Sequence, residues 1–390
     1  MKTLRDLGDL NGKRVLVRVD FNVPLQNGRV TDDMRIRAAL PTIEELRGRD
    51  ARIVLVSHLG RPKDREASLS LAPVAERLSE LIGAPVRLAP GVVGDDVRAV
   101  ADELGPGDVL LLENVRYEPG ETKNDADLAR ALADLADVYV DDAFGAAHRA
   151  HASTEGVARL VGEHAAGFLL EREVSTLMQL LEDPARPLVS VLGGAKVSDK
   201  IGVIDRFLKT ADTILIGGAM CFPFLAARGH SVGDSLCAEE DVELAGRTLE
   251  AVAEARAELL LPVDLVLGDR FAEDAHVREI DGVDVPDGWM GLDIGQRTRE
   301  TYAEVIAQAG TVFWNGPMGA FELPPFASGT SAVAHAVGLA PGTTVVGGGD
   351  SAAALRQFGL ADEVTHLSTG GGATLELIEG KRLPGVEALT

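Results

Sequence analysis

Short apolar, β-branched runs alternate with amphipathic helical stretches along this chain, which predicts repeated βα units around largely parallel sheets. In the first half the runs cover residues 14–19, 52–56, 108–112 and 138–140. Between them, Asp32 and Asp33 open a helix with Ile36, Leu40, Ile43 and Leu46 at helical spacing. Ser70 stands as the cap of a second helix, on Leu71, Val74, Leu78 and Leu81, and Asp125 as that of a third, on Leu128, Leu132 and Leu135. A longer helix is predicted over 168–181 from Leu170, Val174, Leu177 and Leu181. It stops at Pro184 and Pro187, which marks an interdomain linker. The second half repeats the alternation with new sequence, in runs 188–192, 213–216, 265–267, 311–313, 343–346 and 364–367.

Just past nearly every run stand glycine, polar or charged residues. Open parallel sheets bind ligands at that carboxyl edge. In the first half these positions hold Asp20-Phe21-Asn22, Ser57-His58-Leu59-Gly60-Arg61-Pro62 and Glu113-Asn114-Val115-Arg116, side chains suited to a small, highly charged anion. In the second half they hold Gly193-Gly194, Gly217-Gly218, Asn315-Gly316 and Gly347-Gly348-Gly349-Asp350-Ser351, where bare backbone can approach a nucleotide. A compact polyanion on one domain and a nucleotide on the other suggest phosphoryl transfer across a cleft.

The stretch from Val189 to Lys200 concentrates this logic: an apolar strand, two glycines, then Lys196 and Lys200. Ser198 is expected to cap the following helix, on Ile201, Ile204 and Leu208, and the two lysines share a face if both are helical. The spacing is not that of a Walker A loop, G-x-x-x-x-G-K-[ST].

Net charge is −23, which argues against nucleic acid and anionic membrane surfaces as partners. It also gives weight to basic residues clustered at turns, since they act against a repulsive global field. Cys221 and Cys237 suggest no disulfide framework and a reducing compartment, and no zinc-ligand spacing accompanies them. The N-terminus lacks the apolar core of an export signal, and no apolar run approaches membrane-spanning length, so a cytoplasmic location is expected.

Eight stretches then carry a resemblance: RVDFNVP (18–24), SHLGRP (57–62), LLENVRY (111–117), DDAFGAAHRAHAS (141–153), GGAKVSDKI (193–201), FWNGPMGAFE (313–322), GGGDSAA (347–353) and STGGGA (368–373). In order and spacing, from Val15 to Gly372, they resemble the phosphoglycerate kinase family. That resemblance implies an α/β fold of two doubly wound, Rossmann-like parallel-sheet domains joined by a helical hinge. Its divisions are a triose-phosphate domain 1–170, an interdomain helix and linker 171–186, a nucleotide domain 187–372, and a C-terminal segment 373–390 packing back on the first domain. The implied reaction is reversible phosphoryl transfer from 1,3-bisphosphoglycerate to Mg-ADP, giving 3-phosphoglycerate and ATP. The implied protein is a hinge-bending monomer with Mg²⁺ as cofactor.

By the same resemblance Asp20, Phe21, Asn22, Arg35, His58, Leu59, Gly60, Arg61, Arg116 and Arg149 hold the triose. Arg35, Lys196 and Gly371 serve the transferring group. Gly194, Ala195, Lys200, Gly217, Gly218, Gly291, Asn315, Glu322, Gly348, Gly349, Asp350 and Ser351 hold the nucleotide, with Asp350 on the metal. Departures are Ser351 for the usual Thr, Asp-Ile-Gly-Gln (293–296) for Asp-Ile-Gly-Pro, and Cys221-Phe222-Pro223 for Ala-Phe-Thr. Ser351 keeps the hydroxyl, so its nucleotide contact is expected to survive, while the other two lie near the expected adenine side and are expected to alter nucleoside preference slightly. Two rival classes fit less well. A two-lobed binding protein would normally carry an export signal and has no use for Lys196 opposite Arg35. A dinucleotide-dependent dehydrogenase needs G-x-G-x-x-G with an acidic residue about 20 positions on, and no glycine cluster here has that spacing.

Overall fold

The computed structural model describes residues 1–390, which divide into two units: Met1–Ser175 with Lys381–Thr390, and Thr176–Gly380. In the first unit the apolar runs become β1 (Arg14–Arg18), β4 (Arg52–Val56), β6 (Val109–Leu111) and β7 (Val138–Asp141). The short strands β5 (Val86–Leu88) and β8 (His164–Ala166) close the edges, and β2 (Leu25–Gln26) pairs with β3 (Arg29–Val30) in a separate hairpin. The main sheet runs β5-β6-β4-β1-β7-β8 with every pairing parallel. Its central strands are buried on both faces, which is why they read as continuous apolar runs and not as alternation. From β1 the chain moves outward to β4, then returns to β7 on the opposite side of β1. The order therefore reverses around β1, and the loops after β1, β4 and β6 open on one carboxyl edge.

Helices cover that sheet: α1 (Met34–Gly48), α2 (Ala72–Ile82), α3 (Asp95–Asp102) and α4 (Ala126–Ala133). Ile36, Ile43 and Leu46 of α1 and Val74 and Leu78 of α2 join Val15, Val17, Ile53, Leu55 and Val140 in one buried cluster. Asp125 caps α4, its Oδ1 accepting from the N–H groups of Asp127 (3.1 Å) and Leu128 (3.0 Å). Ser70 lies one residue before the capping position of α2, yet its Oγ still accepts from Ala72 N–H at 3.2 Å. The helix α5 (Phe168–Glu182) spans the boundary between the units.

The second unit holds α6 (Ile201–Thr210), α7 (Cys221–Ala227), α8 (Glu239–Val252), α9 (Gln296–Ala307), α10 (Ser328–Leu339), α11 (Gly349–Gln357) and α12 (Gly372–Ile378). Its strands begin with β9 (Leu188–Leu192), β10 (Thr213–Ile216) and β11 (Glu258–Leu260). They continue with β12 (Leu265–Gly268), β13 (Val277–Ile280), β14 (Met290–Ile294), β15 (Thr311–Asn315), β16 (Thr343–Gly347) and β17 (His366–Leu367). The main sheet is again all parallel, β11-β10-β9-β15-β16-β17. The run at 265–267 does not belong to it, contrary to the periodicity reading: β12 pairs antiparallel with β13 and β14. Between these strands stand turns built on Gly268-Asp269, Asp281-Gly282 and Pro286-Asp287-Gly288, not a crossover helix, and without a crossover neighbouring strands pair antiparallel. The last helix, α13 (Pro384–Glu387), lies in the first unit, where Gly385 N–H donates to the Ala147 carbonyl at 2.9 Å.

Candidate functional site

In the first unit β1 delivers the chain to Asp20, Phe21 and Asn22, and hydrogen bonds knit this loop to its neighbours. Phe21 N–H donates to Ser57 Oγ (2.9 Å), and Asn22 Oδ1 accepts from Gly60 N–H (2.8 Å). Gly60 has φ +60°, a conformation that disfavours any side chain. Asn114 is fully buried and uses its whole amide: Oδ1 accepts from Leu59 and Arg116 N–H, and Nδ2 donates to the Leu59 and Leu69 carbonyls. This loop scaffold places Arg116 NH1 2.5 Å from the Gly60 carbonyl and Arg35 NH1 2.7 Å from Asp20 Oδ2. Asp20, Phe21, Asn22, Arg35, His58, Leu59, Gly60 and Arg116 thus meet at one edge of the sheet, and Arg61 and Arg149 are exposed beside it.

The electrostatics confirm one cluster. Arg116 is held below its ordinary pKa first by burial, then by Arg18, Arg149 and Arg61, with Glu121 opposing. Burial alone would raise the Asp20 carboxyl, but the Arg35 and Arg18 charges and the Asn22 N–H outweigh it and keep it below the usual range. Sequence reasoning missed Arg18, which is 1% exposed and stands at the end of an apolar strand. The available signal was a charge closing a run otherwise fit only for burial.

In the second unit the turns after β9, β10 and β15 interlock by backbone alone. Gly193 N–H donates to Asn315 O (3.0 Å), Gly194 N–H to Pro317 O (3.0 Å), and Gly218 N–H to Met318 O (2.9 Å). A Cβ on Gly193 would collide with the Pro317 carbonyl, so only glycine permits this approach. Above the turns lies a cavity of about 680 Å³ lined by Gly194, Ala195, Gly218, Gly291, Glu322 and Asp350, with apolar walls that include Phe222, Leu236, Met290 and Phe321. Gly291 lies against the tip of the Phe222 ring, where a Cβ would overlap it.

Lys196 and Lys200 do not share a helical face. The helix α6 begins only at Ile201 with Lys200 at its cap position, and Ser198 sits in the preceding turn, its N–H given to Asp241 Oδ1 at 3.0 Å. Lys196 is exposed. Lys200 folds back to donate from Nζ to the Gly193 carbonyl at 2.6 Å, and burial pushes its pKa down to about 8 against the pull of Asp350 and Asp199. Four other expected residues lie in the turns behind the cavity lining and do not line it themselves. Asn315 Nδ2 donates to the Gly347 carbonyl (2.9 Å), Ser351 Oγ is buried and accepts from Gly316 N–H (2.6 Å), Gly217 backs onto Met318, and Gly348 turns at φ +94° beside Asn315.

The capping residue of α11 is Gly348, so Asp350 lies in its first turn, exposed toward the cavity, with Gly349 exposed beside it. Gly371, at φ +53°, caps α12. Asp293, first residue of the departing stretch 293–296, lines the cavity. Burial pushes its carboxyl up to about 7, and it accepts from Gly329 N–H at 2.6 Å. Nowhere, at Asp350 included, do three or more His, Cys, Asp or Glu side chains converge as a metal-binding group.

The chain thus presents two parallel-sheet units, one with an arginine cluster and one with a glycine-walled cavity. The phosphoglycerate kinase family model matches residues 4–381. A curated phosphoglycerate kinase of Moorella thermoacetica is 56% identical over 389 residues, covering 100% of this chain and 98% of that protein. One from Roseiflexus castenholzii is 54% identical over 391 residues, with the same coverage. Among solved structures, phosphoglycerate kinase from Coxiella burnetii superposes with a TM-score of 0.89 at 43% identity, covering 99% of this chain and 98% of that one. The enzyme from Pyrococcus horikoshii gives 0.84 at 33%, covering 100% and 98%. The chain belongs to the phosphoglycerate kinase family. Its reaction is the glycolytic phosphoryl transfer, with ADP and ATP as co-substrates. No helix is long and apolar enough to cross a membrane.

Proposed function

We propose that the triose binds at the Asp20–Arg116 cluster of the first unit, the nucleotide binds in the cavity of the second, and the phosphoryl group passes directly between them on hinge closure. The observation that carries this reading is the chemical contrast between the sites. One is built from side-chain cations around an ionised Asp20, and the other from bare glycine backbone beneath an apolar wall. Asp20 and Asn22 hold the glycerate hydroxyl and carboxylate, with Phe21, Leu59 and Gly60 shaping the loop. His58, Arg61, Arg116 and Arg149 hold its phosphate end. Gly194, Ala195, Gly217, Gly218 and Gly291 shape the nucleotide pocket, and Glu322 meets the ribose. Lys200, Asn315 and the Gly348-Gly349-Asp350-Ser351 turn serve the nucleotide phosphates.

A transferring phosphoryl group spreads negative charge over its equatorial oxygens, so catalysis needs positioning and positive charge, with little covalent chemistry. Arg35 and Lys196 supply that charge, and Gly371 offers backbone at a helix N-terminus. Closure excludes water that would otherwise hydrolyse the acyl phosphate. The lone Asp350 suits Mg²⁺ bound mainly by nucleotide phosphates and water, an ion that neutralises phosphate charge when present. Residues 171–186 act as the hinge, and the enzyme works as a cytoplasmic monomer. Calorimetry of ADP binding with and without saturating 3-phosphoglycerate tests the two-site reading. Both ligands should bind together at one equivalent each, and mutual exclusion would overturn it.

A further inference from the structure

The guanidinium of Arg18 is buried, and each of its nitrogens has a partner. Nε donates to Ser153 Oγ (2.8 Å), NH1 donates to the Val19 carbonyl, and NH2 lies 3.2 Å from His58 Nδ1. Ser153 Oγ in turn donates to Glu121 Oε1 (2.6 Å), and Ser153 N–H donates to Glu121 Oε2 (3.0 Å), so a buried carboxylate fixes the orientation of the chain of bonds. A guanidinium carries donors only and keeps its proton. Nδ1 of His58 is therefore the acceptor, and the single ring proton sits on Nε2. Protonating the ring would set an Nδ1–H against an Arg18 N–H inside the fold.

We propose that Arg18 is a positioning residue: it holds His58 as a neutral ring accepting at Nδ1, so that His58 meets the triose as an Nε2–H donor and not as a further cation. This rests on the triose reading of the first-unit cluster. The charged groups facing the ring come from each element around it: Arg18 at the end of β1, Asp20 in the loop after β1, Arg35 on α1 and Arg116 after β6. Burial pushes the ring pKa down to about 3, with Arg18, Arg116 and Arg35 assisting and Asp20 opposing.

Long-range ¹H–¹⁵N imidazole correlation spectra of the full chain test the proposal, with His58 assigned by its loss in His58→Gln. Across pH 5 to 8 the wild-type ring should stay unprotonated at Nδ1 and protonated at Nε2, without titrating. In Arg18→Met no donor holds Nδ1 as an acceptor, so the neutral ring should lose its fixed tautomer and show protonation at Nδ1. Should that variant fail to fold, Arg18→Met combined with Glu121→Gln, which removes the buried carboxylate at the other end of the chain of bonds, carries the same expectation. A wild-type ring protonated at Nδ1, or titrating near the ordinary value of about 6.5, would overturn the proposal, as would a ring that stays locked in the folded Arg18 variant. Binding of 3-phosphoglycerate to the wild type reports separately on the triose reading, which can fail while the ring pattern holds.

Discussion

Lys200 shows how a residue readable in sequence acquires a property that is not. Its place after a strand and glycine pair marked it for phosphate, but only the folded structure buries it against the Gly193 carbonyl and brings its pKa down to about 8. Nucleotide phosphates at this ammonium should raise that value again. ADP binding is therefore expected to take up about half a proton at pH 8, close to one at pH 9 and almost none at pH 6, measured by calorimetry in buffers of different ionisation enthalpy. Lys200→Met should abolish the uptake, and uptake independent of pH would contradict the assignment. Asp20, His58 and Arg116 stood out as candidates by their places past parallel strands, whereas Arg35, inside α1, was marked only by the family resemblance. Arg18 was not, because a buried charge declares itself only through its partners, Ser153, Glu121 and His58. Glu322 has no local signature at all, and its placement in the cavity wall depends on the chain's long-range path.

Among the elements, parallel strands and their helices followed the apolar periodicity closely, down to the bounds of β4, β9 and β10. The three-residue strands β5, β8 and β11 were too short to leave a period, and β12 left its run in a different sheet. The start of α5 carries a pH-sensitive device. Asp142 is fully buried, and its Oδ1 accepts from Leu169 N–H (2.8 Å) and Leu170 N–H (3.2 Å). Burial pushes its carboxyl up to about 8 from an ordinary 3.8, despite these bonds. Because the native pKa lies above the unfolded one, the unfolded chain releases this proton first as pH rises, and native stability falls between about pH 4 and pH 8. Asp142→Asn removes the titration while keeping an acceptor oxygen. Urea denaturation should show the variant gaining steadily on the wild type as pH rises from about 4 to about 8. A difference constant across that range would contradict the account.

For the whole molecule, a net charge of −23 surrounds a site that must attract anions. The exposed Arg61 and Arg149 stand at the edge of that site, where they oppose the field locally. Arg61→Ala should weaken 3-phosphoglycerate binding roughly threefold to tenfold at low ionic strength, and the defect should shrink as salt screens the patch. An unchanged affinity at low salt would remove Arg61 from the site. The central claim is that the phosphoryl group passes once, from triose to nucleotide, with no covalent intermediate on the protein. Its most direct test is the stereochemical course at phosphorus, using 1,3-bisphosphoglycerate made chiral in the transferring group with oxygen isotopes. A single in-line displacement predicts inversion of configuration in the ATP formed. Retention would require two displacements, and with them a phosphorylated side chain that this account does not contain.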